Sequence, residues 1–244
     1  MSPRAAPDEA AALSLLRRGT IEPRGLMPDC SNYTYLAEVC SGSERTLAIY
    51  KPVGGEIPLG DFPSGTLGRR EVAAYLLDAA LGWRIVPPTV YRRDGPLGPG
   101  SVQQFIHSDL RQHYFTLMPA RADDFRVMAA FDCIVNNADR KSGHCLLDGR
   151  GHVWGVDNGL TFHPLPKLRT VIWEFAREEI PGRLRDDAAR LARELGKSQD
   201  WVREIGALIS PAELRALTAR ARRISSEGRY PEPGSRWAYP WPLV

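Results

Sequence analysis

The stretch from Phe131 to Gly159, FDCIVNNADRKSGHCLLDGRGHVWGVDNG, decides how the rest of the chain is read. It starts as the end of a helix and passes into a polar loop that Asp139 closes. Two short apolar runs follow, Cys145-Leu146-Leu147 and Val153-Trp154-Gly155-Val156. Asp148-Gly149-Arg150-Gly151 separates them, a strong hairpin signal. A hairpin brings the chain back to its start, so Asp139, His144 and Asp157 are expected at one edge. Two carboxylates and an imidazole there suit a divalent cation and a proton acceptor.

Moving toward the N-terminus, residues 121–137 have helical spacing, with Phe125, Met128, Ala129 and Cys133 toward a core. Asp132 and Asn136 lie one turn apart on that helix. An Asp in so apolar a stretch faces water or has a specific partner. Asn136 and Asn137 also suit the helix C-cap. Val86–Arg93 and Ser101–His107 read as strands around a Gly/Pro turn. Residues 66–81 repeat apolar positions every three or four, and Gly82 ends that helix. Glu71 lies near its start, and Asp78 reads as a capping or surface residue. Tyr33–Cys40 and Thr46–Pro52 read as two strands joined by Ser41-Gly42-Ser43, the second ending at Lys51. A helix is expected over 8–18, capped by Asp8.

Toward the C-terminus, helices are expected over 171–176, 183–195, 199–209 and 211–224. Ser210 and Glu213 form a capping-box pattern around Pro211. The tail from Tyr230 is rich in Pro and Trp and is expected to be extended, either packed on the body by Trp237, Tyr239 and Trp241 or used by a partner.

Composition excludes several classes. The 244 residues carry a net charge of +3, too little for a nucleic-acid binder. Cys30, Cys40, Cys133 and Cys145 show no paired spacing, which argues against a zinc finger or disulfide framework and for reduced thiols in a cytoplasmic protein. No apolar run reaches membrane-spanning length. Lysine is scarce beside arginine, so Lys51, Lys141, Lys167 and Lys197 each stand out.

Asn136-Asn137-Ala138-Asp139-Arg140, followed by Asp157-Asn158-Gly159-Leu160, resembles the catalytic and metal motifs of the phosphatidylinositol 3-/4-kinase-like superfamily. The similarity is to type II phosphatidylinositol 4-kinases, secretory-pathway kinases and an actinobacterial kinase-like family. It extends over roughly residues 30–176. The resemblance implies a small α+β, two-lobed, protein-kinase-like fold. Its parts would be an N-terminal extension (1–20), a sheet-rich lobe (21–107), a helical lobe (108–229) and a Pro/Trp-rich tail (230–244). It implies that Asp139 is catalytic, with Arg140 beside it stabilising its loop, and that Asp157 binds metal. The family's second metal ligand, an Asn five residues after the catalytic Asp, is replaced here by His144. Imidazole suits manganese better than magnesium.

Ala48-Ile49-Tyr50-Lys51-Pro52 resembles the family's nucleotide-lysine strand, which makes Lys51 a charge for the ATP phosphates and Glu71 its ion-pair partner. A lone lysine at a strand end would otherwise read as a snorkelling surface residue. Asp132 and Asn136 would brace the catalytic loop. Gln104 and Phe105 fall at the interlobe hinge, where adenine binds through backbone groups. Asp29-Cys30-Ser31-Asn32-Tyr33 stands where a glycine-rich loop covers the phosphates and has no such glycines, leaving Ser31, Asn32 or backbone amides for that task. The implied activity is transfer of phosphate from ATP, with Mg2+ or Mn2+, to a protein or metabolite hydroxyl. A nucleotide-binding pseudokinase and an AMP transferase remain open beside it.

Overall fold

The computed structural model describes residues 7–28 and 30–243, so Asp29 and the side chain of the expected Asp8 cap lie outside the described residues. The chain opens with α1 (Pro7–Arg18) and three strands, β1 (Thr20–Leu26), β2 (Tyr35–Ser41) and β3 (Glu44–Pro52). Then come α2 (Leu67–Leu81), β4 (Thr89–Arg92) and β5 (Gly100–Gln104). The second half holds α3 (Tyr114–Leu117), α4 (Ala122–Val135), the strands β6 (Cys145–Leu147) and β7 (Val153–Gly155), and α5 (Gly182–Glu194), α6 (Asp200–Leu208) and α7 (Pro211–Glu227). The architecture is α+β: an antiparallel sheet in the N-terminal part, mainly helices in the C-terminal part.

The five-stranded sheet runs β1-β2-β3-β5-β4. β3 alternates buried Ala48 and Tyr50 with Ile49 and Lys51, so the period of two puts Lys51 on the opposite face from Tyr50. Gly100 lets β5 approach the end of β3. A Cβ there would lie 2.2 Å from the Lys51 carbonyl oxygen, so no other residue fits. Leu13, Leu15 and Leu16 of α1 are buried in the main core.

β1 is missing from the sequence-based expectation. Pro23 and Gly25 disguise it, but it is an edge strand, where a missing N–H is tolerated, and its register slips between those two residues. The helix expected over 171–176 does not form. Its backbone amides make other bonds: Val171 N–H donates to Arg140 O (3.0 Å), Ile172 N–H to Thr170 Oγ1 (3.0 Å), Trp173 N–H to Val171 O (3.2 Å) and Ala176 N–H to Trp173 O (3.0 Å). The tail follows the expectation in part. Tyr239 sets its ring 6.4 Å from that of Trp173, while Trp237 and Trp241 are 68% and 86% exposed, and Tyr230, Ala238 and Pro240 are buried. Its main chain adds to the hold, with Ala238 O accepting from Thr170 N–H and Leu243 O from Ser142 N–H. Fused capping at α7 follows the sequence pattern, with Ser210 and Glu213 bonded reciprocally.

Asp78 is neither exposed nor at the surface. It is 1% exposed, accepts the Val86 N–H at 2.9 Å through Oδ2, and leaves Oδ1 without a partner. Burial pushes its pKa up to about 7, against the pull of the Val86 N–H. A carboxyl raised on folding binds its proton in the native state, so its contribution to stability is complete below the ordinary carboxylate range and is lost as pH rises through about 7. Asp78→Asn should therefore raise stability at pH 8 by about 2–4 kcal/mol and change it little at pH 4. Urea denaturation at the two pH values checks this, and an equal effect at both would contradict the assigned protonation.

Candidate active site

The loop that carries Asp139 is built on a buried charge pair. Asp132, on the last turn of α4, and Arg140 both have no exposed surface. Arg140 Nε donates to Asp132 Oδ2 (3.0 Å) and Nη2 to Oδ1 (2.9 Å), a bidentate fork. The same guanidinium donates to Val156 O (2.7 Å) and Asn158 Oδ1 (2.7 Å), tying the loop to the turn after β7. Asn137 Nδ2 fills the remaining side of Asp132 at 3.0 Å. Arg140, grouped with Asp139 on sequence, therefore lies under the loop rather than facing a reactant.

Asn136 caps α4 in the left-handed region, φ 57°. Its side chain donates to His163 O (2.9 Å) and Leu165 O (2.7 Å) and accepts from Lys167 N–H (2.9 Å). It thereby shapes the segment after the Asp157 turn. Lys167 Nζ lies 2.7 Å from Asp61 Oδ2, joining that segment to the β3–α2 connection.

Above the loop, Lys51 Nζ sits 2.6 Å from Glu71 Oε1 and 2.7 Å from Asp157 Oδ1. Glu71 is 2% exposed, and its Oε2 accepts the Asn158 N–H at 3.0 Å. Burial works against the charge on Lys51, but the two carboxylates outweigh it and hold its pKa above the ordinary value. Lys51 in turn holds Asp157 below the usual carboxylate range, against burial. Asp157 has φ 58°, a strained region for a non-glycine residue that the surrounding bonds must sustain.

Asp139 is partly exposed, with Lys141 Nζ 3.4 Å from Oδ2. Its N–H donates to Asn137 Oδ1 at 3.0 Å, which points the loop. Burial pushes its pKa up to about 6. Lys141 opposes that rise and Asp157 adds to it. A carboxylate in this range is matched to accepting a proton near neutrality. Lys141 escaped the sequence reading, although its rarity and its place two residues after Asp139 were the available signals.

His144 lies between the two motifs. Its Nδ1 accepts from Lys141 N–H at 3.3 Å, which leaves the proton of the neutral ring on Nε2. Nε2 is 3.4 Å from Asp157 Oδ2, so the ring is arranged to donate to that carboxylate. Burial lowers its pKa to about 4, against the attraction of Asp157, so the ring is neutral. In this arrangement His144 meets Asp157 rather than an ion; coordination of a metal through Nε2 would place the ring proton on Nδ1, facing the Lys141 N–H. Among the described residues, Asp139, His144 and Asp157 do not bring three ligand atoms within 4.8 Å of one another. The trio that does is Glu22, Glu38 and Cys40 at the sheet edge, where Arg24 and Arg45 already engage Glu38. The carboxylate oxygens of Asp157 are of the hard donor type that suits a divalent cation.

The remaining sequence candidates are spread along the cleft rim. Asn32 Oδ1 accepts Ile57 N–H (2.7 Å), so this side chain braces the β1–β2 loop instead of reaching outward as a phosphate cover. Ser31 is exposed on that loop. Gln104 ends β5 opposite Ala48, and Phe105 N–H donates to Leu47 O at 3.0 Å. Ser108, just beyond, bridges Asp148 in the β6–β7 hairpin, so the connection between the two parts of the molecule is tied to the hairpin.

The chain is 36% identical over 264 aligned positions to Protein Rv2133c of Mycobacterium tuberculosis, with 94% of each chain covered. It belongs to the family of that mycobacterial protein. No protein-family profile matches this member. Its fold is similar to that of the Helicobacter pylori proinflammatory kinase CtkA, with a TM-score of 0.50 and 10% identity over 88% of this chain and 94% of that one. It is also similar to the Golgi casein kinase with Mn/ADP bound, with a TM-score of 0.54 and 14% identity over 100% of this chain and 83% of that one. At such identities the likeness shows a kinase-like fold and nothing finer.

The Asp132–Arg140 pair yields a direct test of the loop's construction. Asp132→Ala strands a buried guanidinium and should cost about 3–5 kcal/mol in chemical denaturation. Asp132→Leu combined with Arg140→Met should cost less than either single change. A loss under 1 kcal/mol for Asp132→Ala would show that the pair does not hold the loop.

Proposed function

We propose that this protein is an ATP- and divalent-metal-dependent phosphotransferase of the phosphatidylinositol 3-/4-kinase-like type, acting on a protein or small-molecule hydroxyl. The observation that carries the reading is Lys51, bonded at once to Glu71 on α2 and to Asp157 on the turn after β7, above Asp139. Phosphoryl transfer needs charge neutralisation and alignment more than covalent chemistry. Lys51 supplies a fixed positive charge for the phosphates. Glu71 and the Asn158 N–H lock that lysine in place. Asp157 holds the metal side of the site, and a bound divalent cation supplies neutralisation of the phosphate charge. His144 orients Asp157 through Nε2. Asp139 accepts the acceptor hydroxyl's proton, and Lys141 beside it steadies its charge. The manganese and ADP in the Golgi casein kinase structure support the same cofactors here. Among the described residues no helix is long and apolar enough to cross a membrane.

Purified protein with ATP and either Mg2+ or Mn2+ should release ADP. Pyrophosphate would indicate AMP transfer, and nucleotide binding without product would indicate a pseudokinase. Lys51→Ala should weaken ADP affinity at least tenfold by calorimetry, and unchanged affinity would remove Lys51 from the phosphate site. Asp157→Ala should abolish the metal dependence of nucleotide binding.

Asp139→Asn should keep nucleotide affinity and lose turnover by at least a hundredfold. Because Asp139 must be ionised to accept a proton, kcat/KM should fall as pH drops through about 6. A flat profile from pH 5 to 8 would deny it the base role.

A further inference from the structure

Two adjacent residues on α2 point in different directions. Glu71 reaches into the cleft, and Arg70 reaches the C-terminal helices. Arg70 is 2% exposed. Its Nη2 lies 2.5 Å from Glu213 Oε1, and its Nη1 donates to Thr161 O at 2.7 Å. Its guanidinium also sits 5.0 Å from the Phe62 ring centroid. Glu213 is 6% exposed and has no freedom of its own. Its Oε2 accepts the Ser210 N–H at 2.7 Å in the capping box that starts α7. The start of α7 therefore fixes the carboxylate that Arg70 meets.

Both ends of the Asp157 turn are held by this one stretch of α2. Glu71 accepts the Asn158 N–H, and Arg70 donates to the Thr161 carbonyl. Thr161 Oγ1 closes the turn on Asn158 O at 2.7 Å. Moving Arg70 would shift α2 and the turn together, and with them the Lys51–Glu71 and Lys51–Asp157 contacts.

We propose that Arg70 is a positioning residue that couples α7, through Glu213, to the Lys51–Glu71 pair and the Asp157 turn. The Lys51–Glu71 and Lys51–Asp157 contacts are then held in place by a permanent buried ion pair. This rests on the nucleotide-site reading above.

The test compares Arg70→Met, Arg70→Lys and Glu213→Gln with a destabilised control, Leu217→Ala, a buried α7 residue outside the pair. Gln preserves the capping box while removing the charge that faces Arg70. The probe is ADP with Mn2+ by calorimetry, with amide hydrogen exchange of the same proteins without nucleotide. Arg70→Met should weaken ADP at least tenfold and speed exchange in α2 and residues 158–161. Arg70→Lys and Glu213→Gln should show smaller losses, and Leu217→Ala, compared at equal Tm loss, should keep its affinity. In a Glu71→Gln background, Arg70→Met should have little further effect on ADP, because the two act through one contact. Equal loss in both backgrounds, or equal loss in Leu217→Ala, would overturn the proposal. If the wild type binds no nucleotide, the nucleotide reading fails, and the exchange experiment still decides the coupling: unchanged exchange at 158–161 in Arg70→Met would end it.

Discussion

A guanidinium sealed from water holds the centre of this molecule. Arg140 follows Asp139 directly, yet it points inward, to Asp132 on α4, to Val156 O and to Asn158 Oδ1. A buried charge is expensive unless it is paired and its hydrogens are used, and here the partners come from two separate segments, α4 and the turn after β7. The cost of separating them keeps α4, the Asp139 loop and the Asp157 turn in one arrangement. The geometry of the cleft depends on that arrangement more than on the sheet above it.

Within the cleft the charges are balanced closely. Lys51 is shared by two carboxylates, and His144 stays neutral because burial disfavours its charged form. Asp157 is therefore engaged from both sides, by Lys51 at one oxygen and His144 at the other. Phosphates entering beside Lys51 would compete for its charge and free Asp157 for a cation. Nucleotide and metal would then favour each other's binding through the lysine they share.

Several elements were readable from local pattern. The spacing of apolar residues marks α2 and α4, Gly82 and Asn136 stand at their ends with positive φ, and Ser210 with Glu213 announces α7. The hairpin signal at 148–151 correctly brings the two acidic motifs together. β1 was hidden because an edge strand obeys weaker rules than a central one. The 171–176 segment was misread because its periodicity is that of a helix while Val171 N–H bonds to Arg140 O in the Asp139 loop and the amide bonds of Ile172, Trp173 and Ala176 close tight turns. Of the tail aromatics Tyr239 packs on Trp173 while Trp241 stays exposed, because hydrophobic residues do not all find a core, and backbone bonds share the anchoring.

The sequence alone determined what short-range chemistry can decide: where helices begin and stop, that a hairpin separates Asp139 from Asp157, and that Lys51 precedes Glu71 on a strand followed by a helix. The tertiary structure decided which charges meet. Nothing local tells Arg70 to find Glu213, which is 143 residues away, or tells Arg140 to turn inward while Lys141 beside it faces Asp139. The hydrogen-bond partner at Nδ1 likewise decided that His144 donates to Asp157, a matter of ring orientation that spacing does not contain. Helix and turn rules act over a few residues, whereas ion pairs between distant segments form only after packing has removed water and placed the two groups together.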